Sequence, residues 1–269
     1  MSARNLIDYH VHSKWCGHAT GEVHEYVEAA IALGLAEIGL SEHLPIPVPT
    51  TSKVNLTDEE LEIWVGQVDR ARERYRSEIV VRLGGECDFI PGQEQRIERL
   101  LARYPFDYVI GSVHFLGQWG FDNPEEIEGY QRREILAAYR EYFATATAAI
   151  RSGFFDILGH ADLIKKFGFR PQQDISDLLA ALGDDLGTAG MCLEVNTAGL
   201  DKPVKEIYPS QALLSELARK RVPVTLGSDA HAPGEVGRYF ERAEALLKRC
   251  GFTELATFER RQRSSRALP

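Results

Sequence analysis

The sequence lacks paired cysteines and long apolar runs. Its four cysteines are dispersed, with no Cys-x-x-Cys pair, which argues against a disulfide scaffold and predicts free thiols that are mostly buried. No apolar run approaches the roughly 18 residues of a transmembrane helix, and the N-terminal residues carry no signal-peptide pattern. We therefore expect a cytoplasmic protein with no membrane partner.

Positive charge is also in deficit. The 269 residues include 31 Lys and Arg against 40 Asp and Glu, which gives a formal net charge of −9. Such an acidic chain is poorly suited to nucleic acid or to an anionic membrane surface. An anionic substrate is still compatible with this charge, because a bound metal cluster reverses its sign locally. No repeat, low-complexity segment or linker interrupts the chain, which predicts a single domain over 1–269.

What the sequence does contain is a regular alternation of strand and helix patterns. Apolar, β-branched runs recur at intervals of about 30 residues, which is the rhythm of repeated βα units. Most runs are almost continuously apolar, as a parallel sheet covered on both faces requires. The chain length suits one (β/α) barrel, so the predicted class is α/β. The predicted strands are Leu6–Tyr9, Glu37–Leu40, Ile79–Leu83, Tyr108–Ser112, Phe155–Leu158, Cys192–Val195 and Val222–Leu226.

Helical patterns fill the intervals between these strands. The predicted helices are Glu22–Leu33, Asp58–Arg76, Pro124–Ser152, Ile175–Ala189, Pro209–Lys220 and Gly237–Arg249. The segment Pro45–Leu56 holds three prolines and reads as a long loop, and long loops inside compact domains are often functional. The segment Phe258–Pro269 carries four arginines and is expected to be frayed or bound to the surface.

Most of the eight histidines follow a predicted strand. His24 is the exception, because it lies inside a predicted helix, where we expect no role for it. The others and two carboxylates stand at or just beyond strand ends: His10, His12 and His18 after the first strand, His43 after the second, Glu86 after the third, His114 after the fourth, His160 after the fifth, and Asp229 with His231 after the seventh. The carboxyl ends of barrel strands face one shared mouth, so these side chains are expected to converge.

This set of side chains has the chemistry of a metal site. A single histidine would more often be a hydrogen-bonded structural residue, but the whole set favours metal ligation. Imidazole with carboxylate suits zinc, iron or manganese. His10 and His12 are two residues apart, so on an extended chain their rings point the same way and can share an ion. Seven histidines and two carboxylates exceed the four to six ligands of one ion, which predicts two or three divalent transition-metal ions.

The motifs around these residues resemble those of the polymerase-and-histidinol-phosphatase (PHP) superfamily. The matching motifs, from residue 8 to residue 231, are Asp8-Tyr9-His10-Val11-His12, Cys16-Gly17-His18, Ser41-Glu42-His43, Gly84-Gly85-Glu86, Gly111-Ser112-Val113-His114, Gly159-His160 and Gly227-Ser228-Asp229-Ala230-His231. The stretches 159–167 and 194–200 resemble the histidinol-phosphate phosphatase branch. Glu42, where many relatives have Asp, and Asp201, where a basic residue is expected near the phosphate, depart from the pattern.

The resemblance implies a distorted seven-stranded (β/α), TIM-like barrel with three metal ions. It implies a first ion held by His10, His12, Glu86 and Asp229, a second held by Glu86, His114 and His160, and a third held by His18, His43 and His231. Glu86 would bridge the first two ions. Cys16 lies near the set, but a small buried thiol is the simpler interpretation of it.

The chemistry expected is hydrolysis of a phosphomonoester. A hydroxide bridging two ions would attack phosphorus, with Glu86 fixing the ions and Asp229 accepting a proton while staying a ligand. Lys166 and Lys202 are candidates for holding the phosphate, or are only solvated lysines, and Asn196 either contacts substrate or fastens a loop.

The leading hypothesis for the substrate is L-histidinol phosphate, in histidine biosynthesis. Carboxylates near the predicted mouth would then attract its amine: Glu42, Asp88, Asp162 and Asp201. The alternatives are a PHP-type phosphoesterase acting on nucleotides or another small phosphorylated metabolite, and a metal-binding module without catalysis.

Overall fold

The computed structural model describes residues 5–269. The strands are β1 (Ile7–Asp8), β2 (Glu37–Leu40), β3 (Val80–Leu83), β4 (Glu86–Asp88), β5 (Ile110–Ser112), β6 (Phe115–Leu116), β7 (Trp119–Gly120), β8 (Ile157–Leu158), β9 (Cys192–Asn196), β10 (Val224–Gly227), β11 (Glu254–Glu259) and β12 (Gln262–Ala267). The helices are α1 (Val23–Leu33), α2 (Asp58–Arg74), α3 (Glu94–Leu101), α4 (Ile135–Ser152), α5 (Ser176–Ala189), α6 (Gln211–Arg219) and α7 (Phe240–Cys250).

The central strands are parallel and form two sheets. One sheet has the order β1-β2-β3, and the other has the order β10-β9-β8-β5-β4. Isolated parallel bridges connect the two sheets: one joins Val11, just after β1, to Ala230, just after β10, and the other joins His43, just after β2, to Glu86 of β4. The predicted α/β class with parallel strands is therefore confirmed. Within residues 5–269 the two parallel sheets have three and five strands, and the strands do not form one closed seven-stranded sheet.

Local signals account for the helix ends. Thr57 accepts from the backbone N–H of Glu60, whose side chain accepts in return from Thr57, and this capping box starts α2. Gly34 takes a left-handed conformation at the end of α1, which glycine adopts without steric cost.

Within the described part of the chain, no helix is long and apolar enough to cross a membrane. The cysteines there are unpaired, and three of the four are buried, as expected.

The sequence prediction was wrong at several elements. The segment predicted as one helix over Pro124–Ser152 is a 3₁₀ helix, Pro124–Tyr130, followed by a break and then α4. Gly129 lies in that first piece, and a Cβ there would lie 2.2 Å from Nε1 of Trp119, so tertiary packing fixes the turn. Helix α3 and the short hairpin β6–β7 were missed, because each is shorter than the window over which a periodic pattern is recognised.

The arginine-rich segment Phe258–Pro269 was expected to be frayed or bound to the surface, and of these alternatives fraying is wrong. Most of it belongs to an antiparallel hairpin of β11 and β12. The ring of Phe258 lies 6.4 Å from that of Tyr9 and 6.3 Å from that of Tyr108, and the backbone N–H of Phe258 donates to the Tyr9 hydroxyl at 3.3 Å. Arg266 pairs with the buried carboxylate of Glu37 at 3.1 Å. Burial of the apolar residues of β11 therefore holds the hairpin in place, although β12 is polar and mostly exposed.

Two aromatic rings occupy the interior between the strands. Tyr9 and Tyr108 stack with centroids 4.6 Å apart, and the Tyr108 hydroxyl donates to the Tyr9 carbonyl oxygen at 2.6 Å. A Cβ at Gly39 or Gly84 would lie about 2 Å from the Tyr108 ring or hydroxyl, so only glycine leaves room for it. This packing fixes the strand that leads into His10 and His12.

Candidate metal centre

The strand ends bring the predicted ligands together. His10 and His12 follow β1, His43 follows β2, Glu86 begins β4, His114 follows β5, His160 follows β8, and Asp229 with His231 follows β10. His18 reaches the same place from beyond a one-turn 3₁₀ helix, Lys14–Cys16. His24, by contrast, lies exposed on α1, away from the cluster. The seven remaining histidines and both carboxylates therefore share one region of the molecule.

Glu86 lies at the centre of this cluster. Its side chain is about 1% exposed, and its two oxygens face different histidines. Oε2 lies 3.2 Å from Nε2 of His10, 3.4 Å from Nε2 of His12 and 3.0 Å from Nδ1 of His43. Oε1 lies 3.1 Å from Nε2 of His160 and 3.6 Å from Nε2 of His114. One carboxylate thus joins two groups of rings.

Asp229 approaches the cluster from the opposite side. Its Oδ1 is 3.5 Å from Nε2 of His12 and 3.9 Å from Nε2 of His10. The residue has φ of +52°, a left-handed conformation that is unfavourable for a residue with a side chain. Arg238 holds this turn by donating to the carbonyl oxygens of Ser228 and Asp229, both at 3.0 Å.

The remaining rings form a second part of the cluster. His18 and His231 have centroids 4.8 Å apart, and His18 and His43 have centroids 5.4 Å apart. His12 lies 4.4 Å from both His43 and His231, so it joins the two parts. Triads whose ligand atoms lie within 4.8 Å of one another, close enough to share one ion, include His10–His12–Glu86, His10–His160–Asp229, His12–His43–His231, Cys16–His18–His231 and His12–Cys16–Glu42.

Carboxylates behind the rings orient them. Oε1 of Glu194 lies 2.6 Å from Nδ1 of His10, and Oδ1 of Asp88 lies 2.8 Å from Nδ1 of His114. Such partners fix the ring orientation and leave the other nitrogen for a metal. Glu194 was not predicted near the site, and Asp88 was expected only to attract an amine of the substrate. Glu42, which stands where many relatives have Asp, accepts hydrogen bonds from the Ser13 N–H and hydroxyl and lies 3.7 Å from Nδ1 of His12. The longer side chain at this position therefore has a structural role behind His12.

The protonation of the rings follows from burial and from these carboxylates. Burial lowers the pKa of His114, but Asp88 and Glu86 outweigh it and raise the pKa to about 10. For His12, burial is likewise outweighed, chiefly by Asp229 and Glu42, and its pKa is raised to about 9. Burial, with the neighbouring His12, lowers the pKa of His231 to about 3.

Buried polar atoms without hydrogen-bond partners test whether the site suits metal ions. Within residues 5–269 they include Nε2 of His10, Nε2 of His12, Nδ1 of His43 and Oε2 of Glu86. Leaving such groups unpaired is costly, and divalent cations would satisfy all four at once. The donor set of imidazole and carboxylate suits zinc, iron or manganese.

A cavity of about 540 Å³ opens over the cluster. That volume suits a small metabolite. Lys166, Lys202 and Arg238 contribute positive charge to its wall, while Asp122 and Glu125 contribute negative charge. The cavity is therefore lined by candidate metal ligands and by charged side chains of both signs.

The predicted substrate residues occupy different positions. Lys166 and Lys202 line the cavity, and the Lys166 Nζ donates to the carbonyl oxygen of Asp122 at 2.7 Å and to its Oδ2 at 3.0 Å. Asn196 is fully buried and donates to Glu194 at 3.2 Å and to Asp229 at 3.3 Å. This position suits fastening of the cluster better than contact with a substrate.

The four carboxylates expected to attract an amine are mostly engaged elsewhere. Glu42 is fully buried behind His12, and Asp162 pairs with Lys165 at 2.9 Å. Asp201 accepts from the Tyr239 hydroxyl at 2.6 Å. Asp88 alone of the four lines the cavity, where it also holds His114.

Comparison with known families agrees with this geometry. Residues 8–198 match the model of the PHP domain, which is well over half of the chain. The chain belongs to the PHP family. It is 42% identical over 246 residues to a probable histidinol-phosphatase of Deinococcus radiodurans, covering 91% of this chain and 94% of the relative. It is also 29% identical over 267 residues to the histidinol-phosphatase of Bacillus subtilis, covering 90% and 98% respectively.

Solved structures share the fold of this PHP-family chain. The histidinol phosphate phosphatase of Lactococcus lactis, solved in complex with zinc, L-histidinol and phosphate, superimposes with a TM-score of 0.82. The match covers 97% of this chain and 99% of that one, at 24% identity. At that identity the likeness establishes the architecture, which is the PHP-type α/β fold.

Proposed function

We propose that this chain is a metal-dependent phosphomonoesterase that hydrolyses L-histidinol phosphate to L-histidinol and phosphate, in histidine biosynthesis. The observation that carries the proposal is the complete set of nine ligand-type side chains around Glu86, in a chain 42% identical to a probable histidinol-phosphatase. The partner is accordingly a small phosphorylated metabolite. The zinc, L-histidinol and phosphate in the Lactococcus protein are consistent with the same chemistry.

We infer that the cluster holds two or three divalent transition-metal ions. The two oxygens of Glu86 face different rings, which supports a bridging role between two ions. The ring of His18 lies 4.8 Å from that of His231 and 5.4 Å from that of His43, between centroids, and this grouping supports a third position. Elemental analysis of protein purified without chelator should give two or three ions per chain. Fully active protein with one ion or none would contradict the model.

We also propose that the two sheets act as one distorted seven-stranded barrel within a single domain over 1–269. The isolated parallel bridges support this arrangement, since one connects the chain just after β1 to the chain just after β10, and the other connects the chain just after β2 to β4. A single barrel would explain why the predicted ligands, which follow β1, β2, β5, β8 and β10 or lie in β4, point to one mouth.

Each residue then has a role in the reaction. Bound divalent ions supply an activated water and neutralise charge on the phosphoryl oxygens. Glu86 fixes the spacing of the ligands on its two sides, and Asp229 accepts a proton at the carboxylate oxygen that faces His12. Lys166 and Lys202 hold the phosphate from the cavity wall, with Asp122 keeping the Lys166 ammonium in place.

The acidic side of the cavity supports a cationic substrate. Asp122 is already paired with Lys166 at 3.0 Å, so Glu125 is the lining carboxylate that offers an ester with a protonated amine an attraction that a nucleotide lacks. We expect kcat/KM for L-histidinol phosphate to exceed that for AMP or p-nitrophenyl phosphate by at least ~100-fold, because a site built for a polar group discriminates strongly against its loss. Equal rates on AMP would refute the substrate assignment and favour a nucleotide phosphoesterase, while leaving the metallophosphatase proposal standing.

A further inference from the structure

Tyr208 lines the cavity but belongs to none of the roles described so far. The residue is 1% exposed, and its hydroxyl has no hydrogen-bond partner within the described residues 5–269. Buried hydroxyl groups in proteins nearly always have a partner, because an unpaired one costs free energy. The hydroxyl therefore calls for a partner that the protein itself does not supply.

The surroundings of Tyr208 hold its ring in one orientation. Its backbone exchanges two hydrogen bonds with Asn196, at 2.6 and 2.9 Å. A Cβ at Gly199 would lie 2.8 Å from the ring, and the Lys165 ammonium sits 5.4 Å from the ring centroid. Lys165 is itself fixed by the carbonyl oxygen of Ile207 at 2.9 Å. Rotation of the phenol towards an alternative protein acceptor is thus restricted.

The charges that face the phenol keep it protonated. Burial, with the carboxylates of Asp162, Asp229 and Asp122, raises the pKa of Tyr208 well above its usual range. The group is therefore a hydrogen-bond donor at every physiological pH. Protonated amines offer no acceptor to such a donor, whereas a phosphoryl group offers several oxygens.

We propose that the Tyr208 hydroxyl donates a hydrogen bond to a phosphoryl oxygen of the ligand in this cavity. Its place beside the metal ligands supports this, since Asn196, its backbone partner, also donates to Asp229 at 3.3 Å. Lys202 lines the same cavity and adds positive charge there. The identity of the ligand rests on the proposed phosphatase function, but the presence of a phosphate-binding donor does not require turnover to be observed.

The test uses Tyr208→Phe, which removes only the hydroxyl. Metal-loaded protein is titrated with inorganic phosphate and, separately, with L-histidinol, and Tm is measured without ligand. We expect the phosphate Kd to rise by about tenfold or more, as loss of a hydrogen bond to a charged group does. Binding of L-histidinol and metal content should not change. The Tm should stay the same or rise, because an unpaired buried group has been removed.

Tyr130→Phe is the matched control. Tyr130 is equally buried, but its hydroxyl donates to the carbonyl oxygen of Ile164 at 2.9 Å and the residue does not line the cavity. Its removal should lower Tm and leave phosphate binding unchanged. An unchanged phosphate Kd in Tyr208→Phe, a Tm loss like that of the control, or a loss confined to L-histidinol would each overturn the assignment. Absence of phosphatase activity in the wild type would instead count against the proposed function alone.

Discussion

Replacement of Glu86 by Gln is the most informative perturbation of the metal centre. The change preserves shape but removes the negative charge, and it turns one oxygen into an NH2 group. Glu86 has two histidine nitrogens within 3.6 Å of Oε1 and three within 3.4 Å of Oε2. Whichever oxygen is replaced, the amide would present N–H donors to a group of atoms that must bind cations.

The magnitude follows from the double role of this carboxylate. Loss of one preorganised electrostatic element typically costs about 2.7–4 kcal/mol in the barrier, or roughly 10²–10³ in kcat. Because Glu86 faces both groups of rings, we expect at least a hundredfold loss of turnover even after metal is restored. Metal affinity should also fall, since burial of two cations beside a neutral amide lacks the charge that balances them.

The assay combines elemental analysis with turnover of L-histidinol phosphate across a range of added zinc or manganese. His24→Ala is the control, because His24 is exposed on α1 and lies outside the cluster. It should retain wild-type rate and metal content. A Glu86→Gln protein with full metal content and near-normal turnover would refute the bridging role.

Three other predictions address different parts of the molecule. Addition of zinc to metal-free protein at pH 7.5 should release protons, because the raised pKa values of His12 (about 9) and His114 (about 10) keep both rings protonated until a metal displaces the proton. A pH indicator in weak buffer would detect the released protons. Zinc uptake without proton release would disprove the prediction. Lys166→Ala and Lys202→Ala should each raise KM for all phosphomonoesters by a similar factor, since both are proposed to contact the common phosphate, and steady-state kinetics on L-histidinol phosphate and p-nitrophenyl phosphate would show a selective effect if this is wrong. Phe258→Ala should destabilise the fold by about 3–5 kcal/mol through loss of a buried aromatic ring, measured by urea unfolding of the metal-loaded protein. An unchanged urea midpoint would mean that packing of the hairpin against the interior does not stabilise the fold.

The sequence predicted the positions of the metal ligands because two simple regularities determine them. Parallel strands end at a common edge, so residues that follow different strands converge. Side chains alternate along a strand, so His10 and His12 can be predicted from the sequence alone to face the same way. The structure gathers every one of those residues around Glu86, although their metal-binding roles stay predictions.

The carboxylates that orient the rings could not be predicted in the same way. Glu194 reaches His10 only because β9 lies beside β10 in a particular register, and Asp88 reaches His114 only because β4 pairs with β5. The sequence of one strand does not tell which strands lie beside it, and a one-residue slip in register would turn these side chains to the other face. The arginine-rich hairpin was missed for a related reason. Burial of its apolar residues, such as Phe258, depends on contacts with distant residues such as Tyr9, which the local sequence does not reveal.

That hairpin gives the metal centre a dependence on the order of synthesis. A growing chain completes every predicted ligand by His231, yet Tyr9, next to His10, gains its contact with Phe258 only some 27 residues later. A nascent chain paused after His231 would therefore carry all its donors on strands whose interior is still open to water. Metal loading before the hairpin docks would occur on a loosely held set of rings, where a wrong ion is hardest to reject.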